Sequence, residues 1–167
     1  MKFSLGLRSL LFLVLIPGTV AGYIPWRILR ASRQDFVPAL SVASVPGACL
    51  GLLGLCVLLR CVWDFFDAGR GTLAPFDPPK RLVVRGPYRL TRNPMYNGVL
   101  ILLLGEAWVF LSGTLFQYAL IVFVVFHLMV VIYEEPALEA QFGESYRAYR
   151  AAVPRWGFTV RPFKTPG

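Results

Sequence analysis

Cysteine and charge are both scarce in these 167 residues, and each shortage excludes something. The three cysteines, Cys49, Cys56 and Cys61, form no CxxC pair and have no histidine beside them. They fall on an apolar run and its end, where small packing residues are expected rather than a metal cluster or a disulfide framework. Charged residues make up 16% of a chain that is 56% hydrophobic, with a mean hydropathy of +0.60. That is too apolar for an ordinary soluble domain. Acid is scarcer than base, with 9 acidic against 17 basic residues and a net charge of +8. The basic residues lie between apolar runs and carry no readable nucleic-acid motif, so nucleic acid is not the expected partner. Interfacial arginines that meet anionic lipid headgroups and set orientation account for the excess.

What the chain does have is four apolar runs, in a length that suits a single domain over residues 1–167. A bilayer core about 30 Å thick needs roughly 20 apolar residues as helix. The first run, 9–26, has a signal peptide as its rival reading, because Lys2 and Arg8 precede it. A retained helix is expected, since three further runs follow. The second, about 38–59, is rich in the small residues that let membrane helices approach closely. The third starts at Pro94, a good first helical residue, and extends to about Leu111. The fourth covers about Leu115 to Tyr133, so third and fourth are expected to form a tight antiparallel hairpin. The expected architecture is all-α and multi-pass, with four transmembrane helices: two N-terminal spans in 1–60 and a core in 61–167. Residues 60–93 hold seven basic and three acidic residues and are too polar to insert. By the excess of positive charge they should face the cytoplasm of a cell (inner) membrane, although Arg27, Arg30 and Arg33 fall in the opposite loop.

The hairpin brings two distant stretches to one face: "RGPYRLTRNPMY" at the start of the third run and "YEEPALEAQFG" at the end of the fourth. Glu134 and Glu135 close the fourth run before Pro136, and two acids there oppose the helix dipole by up to about 1 kcal/mol. Opposite Arg89 and Arg92 they read as a site, with an interfacial cap as the bland alternative. Leu138, Phe142, Tyr146 and Tyr149 form one stripe of a C-terminal amphipathic helix. Periodicity leaves open whether it lies on the bilayer or roofs a cavity. Glu106 should face another helix, with Gln117 as its partner. His127, about two turns before Glu134, should point the same way as that acid, as a satisfied histidine before a proton carrier.

"GPYRLTRNPMYNG", followed after one hairpin by "EEPALEAQFGESYRAYRAAVPRW", resembles the integral-membrane methyltransferases, among them isoprenylcysteine carboxyl methyltransferase and phospholipid N-methyltransferases. The resemblance covers about Gly69 to Trp156. It implies a helical membrane enzyme that uses S-adenosylmethionine, held between the hairpin ends and the C-terminal helix. By position it implies cofactor contacts from Gly69, Gly71, Arg92, Asn93, Pro94, Tyr96, Gly98, Glu134, Glu135, Phe142 and Tyr146. Arg89 and Arg155 become candidates for holding an anionic acceptor. Where the family usually has histidine, this chain has Asn93, which cannot titrate near neutral pH, so a general base there is in doubt.

The chemistry is compatible with that implication. Arginines suit the cofactor carboxylate, glutamates its ammonium or ribose diol, and tyrosines with Phe142 can flank adenine. Methyl transfer asks mainly for alignment and exclusion of water, and no metal cluster is visible. The expected acceptor is lipophilic or prenylated, isoprenylcysteine carboxylate-like, with a phospholipid amine or a thiol as alternatives and membrane lipids as partners. A non-catalytic transport or assembly protein is the rival, with Glu106 and His127 lining a path. No internal repeat speaks for transport.

Overall fold

The computed structural model describes residues 16–32, 42–68, 82 and 84–163, and all regular structure among them is helical. A π turn, Thr19–Tyr23, leads into α1, Ile24–Ala31. The remaining helices are α2, Val45–Ala68; α3, Pro94–Val109; α4, Gly113–Met129; α5, Glu135–Phe142; and α6, Glu144–Ala152. Two helical stretches are long and apolar enough to cross a membrane, Val42–Asp64 and Gly113–Phe142, and Pro94–Val109 is a shorter apolar helix. Their outer faces carry Leu52, Leu59, Ile121, Val125 and Ile132, all exposed. Side chains that would be out of place against water are at home against lipid.

Helix α2 lies against α3 along a seam of glycines. Gly47, Gly51 and Gly54 recur at helical spacing on one face of α2, and Gly98 and Gly105 answer from α3. A Cβ on Gly54 would stand 2.5 Å from the amide nitrogen of Leu102, and one on Gly47 would stand 2.8 Å from Cβ of Trp108. Backbones can approach this closely only where side chains are missing, and close approach is what holds helices together when lipid supplies no hydrophobic drive. Trp108 fixes the end of the seam by donating its indole N–H to the Ala43 carbonyl at 3.1 Å.

Helix α3 starts at Pro94 because proline lacks the N–H that would be unsatisfied at that position anyway. It ends at Phe110 and Leu111, the latter at φ +46. Buried Ser112 restarts the chain by accepting the Leu115 N–H at 3.4 Å, an N-cap that opens α4. The two helices then run back alongside each other: Ala107 packs with Leu115 at the turn, and Tyr96 reaches Phe126, ring centroids 4.5 Å apart. Val99, Leu103, Ala119, Val122 and Phe126 make the shared core, with Ala21 and Leu58. The first helix is pinned to the hairpin by Tyr118, whose hydroxyl donates to the Val20 carbonyl in the π turn at 3.0 Å.

The fourth run does not stop at Pro136. The helix widens into a π turn over Val130–Glu134 and continues as α5. Proline removes one backbone donor and crowds the preceding turn, and the wider π geometry absorbs both without ending the helix. Glu134 and Glu135 therefore sit inside a continuous helix, where the dipole argument for a helix end does not apply. The expected single C-terminal amphipathic helix is likewise two helices, divided at Gly143, whose φ of +51 glycine adopts readily. That break turns Tyr146, Tyr149 and Val153 inward onto Leu138, Phe142, Leu82, Val84 and Phe163. The aromatic stripe is the core of a small cap, not a face laid on the bilayer.

Candidate functional site

The open end of the hairpin gathers most of the polar residues singled out in the sequence. Arg92, one residue before the N-cap of α3, donates through Nη1 to Glu135 Oε1 at 2.9 Å and to the Tyr146 hydroxyl at 3.2 Å. Arg155, just after α6, grips the same carboxylate with two bonds, Nε to Oε1 at 2.5 Å and Nη2 to Oε2 at 2.9 Å. Glu135 thus accepts three charge-assisted bonds with its side chain only 10% exposed. A carboxylate so deeply placed needs that compensation. Its bond to Glu135 raises the Arg155 pKa further above its already high value, so the cation is permanent.

Glu134, one residue earlier, has a different environment. Its carboxylate accepts from the Tyr96 hydroxyl, and no arginine among the described residues pairs with it. Adjacent residues on a helix point about 100° apart, which is how neighbouring acids acquire unlike partners.

The backbone after α6 returns across the start of α3. The Arg92 N–H donates to the Pro154 carbonyl at 2.9 Å, the Thr159 N–H to Leu90 at 2.8 Å and the Phe163 N–H to Arg89 at 3.0 Å. Arg89 itself donates through Nε to the Phe163 carbonyl at 2.8 Å and does not face the glutamates. Trp156 gives its indole N–H to His127 Nδ1 at 3.0 Å and stacks on that ring. His127 is therefore satisfied, by the returning strap.

Asn93 donates through Nδ2 to the Arg155 carbonyl at 3.1 Å. Beneath it Asn97 donates to the Thr91 hydroxyl at 3.1 Å, and that hydroxyl reaches the Arg155 carbonyl at 3.5 Å. Thr91 and Asn97 are buried polar residues that sequence reasoning passed over, because neither belongs to a recognisable pattern. Two tyrosines complete the wall. Tyr149 donates its hydroxyl to the Tyr88 carbonyl at 2.5 Å. Burial raises both phenol pKa values, with neighbouring Cys61 adding to the effect at Tyr88 and Arg92 opposing it at Tyr149. Both remain neutral donors across the physiological range.

Other expected site residues lie elsewhere. Gly98 belongs to the helix seam, where a Cβ would meet the Gly54 carbonyl at 3.1 Å. Phe142 packs in the cap with Leu138. Gly69 and Gly71 fall outside the described residues. Glu106 does not pair with Gln117: Gln117 is exposed, and Glu106 Oε2 has no hydrogen-bond partner. Residues Asp64 and Gly86 form a contact that no motif announced. The buried Asp64 carboxylate, paired with Arg60 at 3.0 Å, occupies the space a side chain at position 86 would need.

An open groove of about 400 Å³ runs beside the cluster, lined by Val131, Glu135, Pro136, Glu139, Ala140 and Arg150. Above it Glu139 receives Arg150 at 2.9 Å; below it exposed Ile132 and Leu128 continue along the same helix. Among the described residues no group of three or more His, Cys, Asp or Glu could hold a metal ion.

Comparison with known proteins places this geometry. The family described as phospholipid methyltransferase matches residues 42–145, which take in α2, the hairpin and both glutamates. The chain belongs to that family. No curated protein and no solved structure matches it.

Proposed function

We propose that this member of the phospholipid methyltransferase family transfers a methyl group from S-adenosylmethionine to a lipid-borne acceptor at the open end of the hairpin. The observation that carries the reading is an orphaned arginine donor together with an acid that no described cation pairs. The buried Nε of Arg92 has no hydrogen-bond partner, and Glu134 faces the site with only a tyrosine hydroxyl. Buried polar atoms such as Arg92 Nε are seldom left orphaned, and a ligand with one anionic and one cationic end would complete that donor and give Glu134 a cation. The amino-acid end of S-adenosylmethionine has that character. Arg92 would hold its carboxylate and Glu134 its ammonium, with Tyr146 bonded to the first and Tyr96 to the second. When bound, the cofactor supplies a methyl carbon already activated by a sulfonium.

The chain's own part is positioning. Glu135, Arg92 and Arg155 form a rigid triad that fixes the start of α3 against the end of the hairpin, and the strap from Val153 to Phe163 keeps water off one side. The groove beside Val131 and Pro136 opens towards the lipid-facing side chains of the π turn and suits an acceptor with an acyl or prenyl chain. Two acceptor chemistries fit a lateral entry, the carboxylate of a prenylated cysteine and the amine of a phospholipid headgroup. Arg155 and Arg89, the cations that would hold a carboxylate, are engaged by Glu135 and by the Phe163 carbonyl. This weighs against the carboxylate, while an amine would have to reach the site as the free base, because Asn93 cannot take its proton. The basic residues 85–92 support a site facing the cytoplasm.

The test is transfer of labelled methyl from S-adenosylmethionine into a total lipid extract. Label in a phospholipid headgroup is the expected result, label in a methyl ester would favour the prenylated carboxylate, and no transfer by folded protein counts against the activity.

A further inference from the structure

Position 93 is where this chain departs from the histidine usual in the proteins it resembles, and its surroundings show what asparagine does there. We infer that Asn93 is a positioning residue: its amide holds the strap 153–163 closed on the site by donating to the Arg155 carbonyl. The inference rests on the proposed cofactor site and concerns how that site is kept in shape.

The geometry is specific. Asn93 Nδ2 reaches the Arg155 carbonyl at 3.1 Å, and the same carbonyl lies 3.5 Å from the Thr91 hydroxyl, which Asn97 supports at 3.1 Å. The side chain of that same Arg155 makes the bidentate bond to Glu135. Position 93 therefore acts on Glu135 through one intermediate residue, holding the backbone whose guanidinium completes the triad. Backbone bonds on both sides, Arg92 to Pro154 and Thr159 to Leu90, set the strap against the start of α3, and between them Asn93 makes the shorter side-chain bond to the strap's backbone, beside the longer one from Thr91. Asn93 is itself 9% exposed, and loss of its donor would leave the Arg155 carbonyl with only the long 3.5 Å bond from Thr91 among the described side chains.

An amide donates at every pH. Histidine could also donate, but it would gain a proton near pH 6.5 or so and place a third cation beside Arg92 and Arg155. Asparagine makes the closure independent of pH over the range in which histidine would titrate.

The experiment follows hydrogen exchange at the Thr159 and Phe163 amides in purified protein, together with S-adenosylhomocysteine affinity. Asn93→Ala should speed exchange at both amides about tenfold and weaken binding about tenfold, the loss of one buried hydrogen bond. Asn93→Asp, isosteric but unable to donate, should do the same if the alanine variant folds poorly. Asn93→His should bind well above pH 7 and progressively worse below pH 6, a dependence the native chain lacks. Unchanged exchange in both Asn93→Ala and Asn93→Asp would overturn the inference, as would a histidine variant whose pH profile matches the native one. Faster exchange in a chain whose native form binds no S-adenosylhomocysteine would uphold the latch while removing the proposed activity.

Discussion

The two ends of one helical hairpin carry glutamates in opposite circumstances. At the turn end, Glu106 stands with an oxygen that no group satisfies. At the open end, Glu135 takes three bonds from two arginines that come from segments 63 residues apart in the chain, Arg92 and Arg155. Glu135 is buried and Glu106 half-buried, so the better-satisfied acid is also the more deeply placed one and exposure to water does not explain the contrast. It comes from connectivity. At the open end α6 and the strap return with a guanidinium for the buried carboxylate; at the turn end Leu29 of α1 and the Ala43 carbonyl return, and among the described residues neither satisfies Oε2 of Glu106. The same contrast separates neighbours: Glu135 is neutralised and structural, while Glu134 keeps a carboxyl that no cation among the described residues claims. A charged group in a membrane protein is thus a fastening or a binding group according to what the rest of the fold brings to it.

The sharpest way to break this comparison is Glu135→Gln. Removing one member of a buried ion cluster leaves Arg92 and Arg155 uncompensated and should cost roughly 3–5 kcal/mol, read as a large fall in thermal unfolding temperature in detergent. A loss under about 1 kcal/mol would mean that the triad is not a fastening. Glu106→Gln at the other end should change stability by less than about 1 kcal/mol, neutral or slightly stabilising, because the amide keeps the volume and removes the cost of a charge near lipid. A large loss there would reveal a partner for Glu106 and erase the contrast.

The smallest effect concerns pH. Tyr88 and Tyr149 have pKa values raised by burial, so the folded chain keeps them neutral while the unfolded chain ionises them near pH 10 or so. Their contribution is fully present below that pH and is lost as pH rises through the folded values. Stability should be flat on their account from pH 7 to 9 and decline above about pH 10, and Tyr88→Phe should blunt the alkaline decline.

Much of this arrangement was legible in the sequence where a residue's chemistry is local. Pro94 announces a helix start, and the glycines of the second run announce a close helix crossing. The pairing of "TRNPMY" with "YEEP" follows once the turn near Ser112 is recognised, since a short turn puts both ends on one face. The failures share a physical reason. Gln117 was matched to Glu106 by depth, but rotation about the helix axis decides which residues meet, and Gln117 faces outward. Pro136 reads as a stop because proline breaks α geometry; a π turn that absorbs it leaves no mark in composition. The aromatic stripe at 138–149 is periodic enough for one helix, yet Gly143 folds it into a core. Of the strap only Arg155 is legible in the sequence, because most of its other bonds end on backbone carbonyls and leave no pattern in composition.

The most direct measurement is calorimetric titration of S-adenosylhomocysteine into the purified chain and into Glu134→Gln. The account predicts saturable binding by the native protein and affinity weaker by about tenfold or more in the variant, the scale of one lost charge-assisted bond, with its unfolding temperature unchanged. A folded native chain that takes up no ligand, or a variant that binds as tightly as the native one, would contradict it.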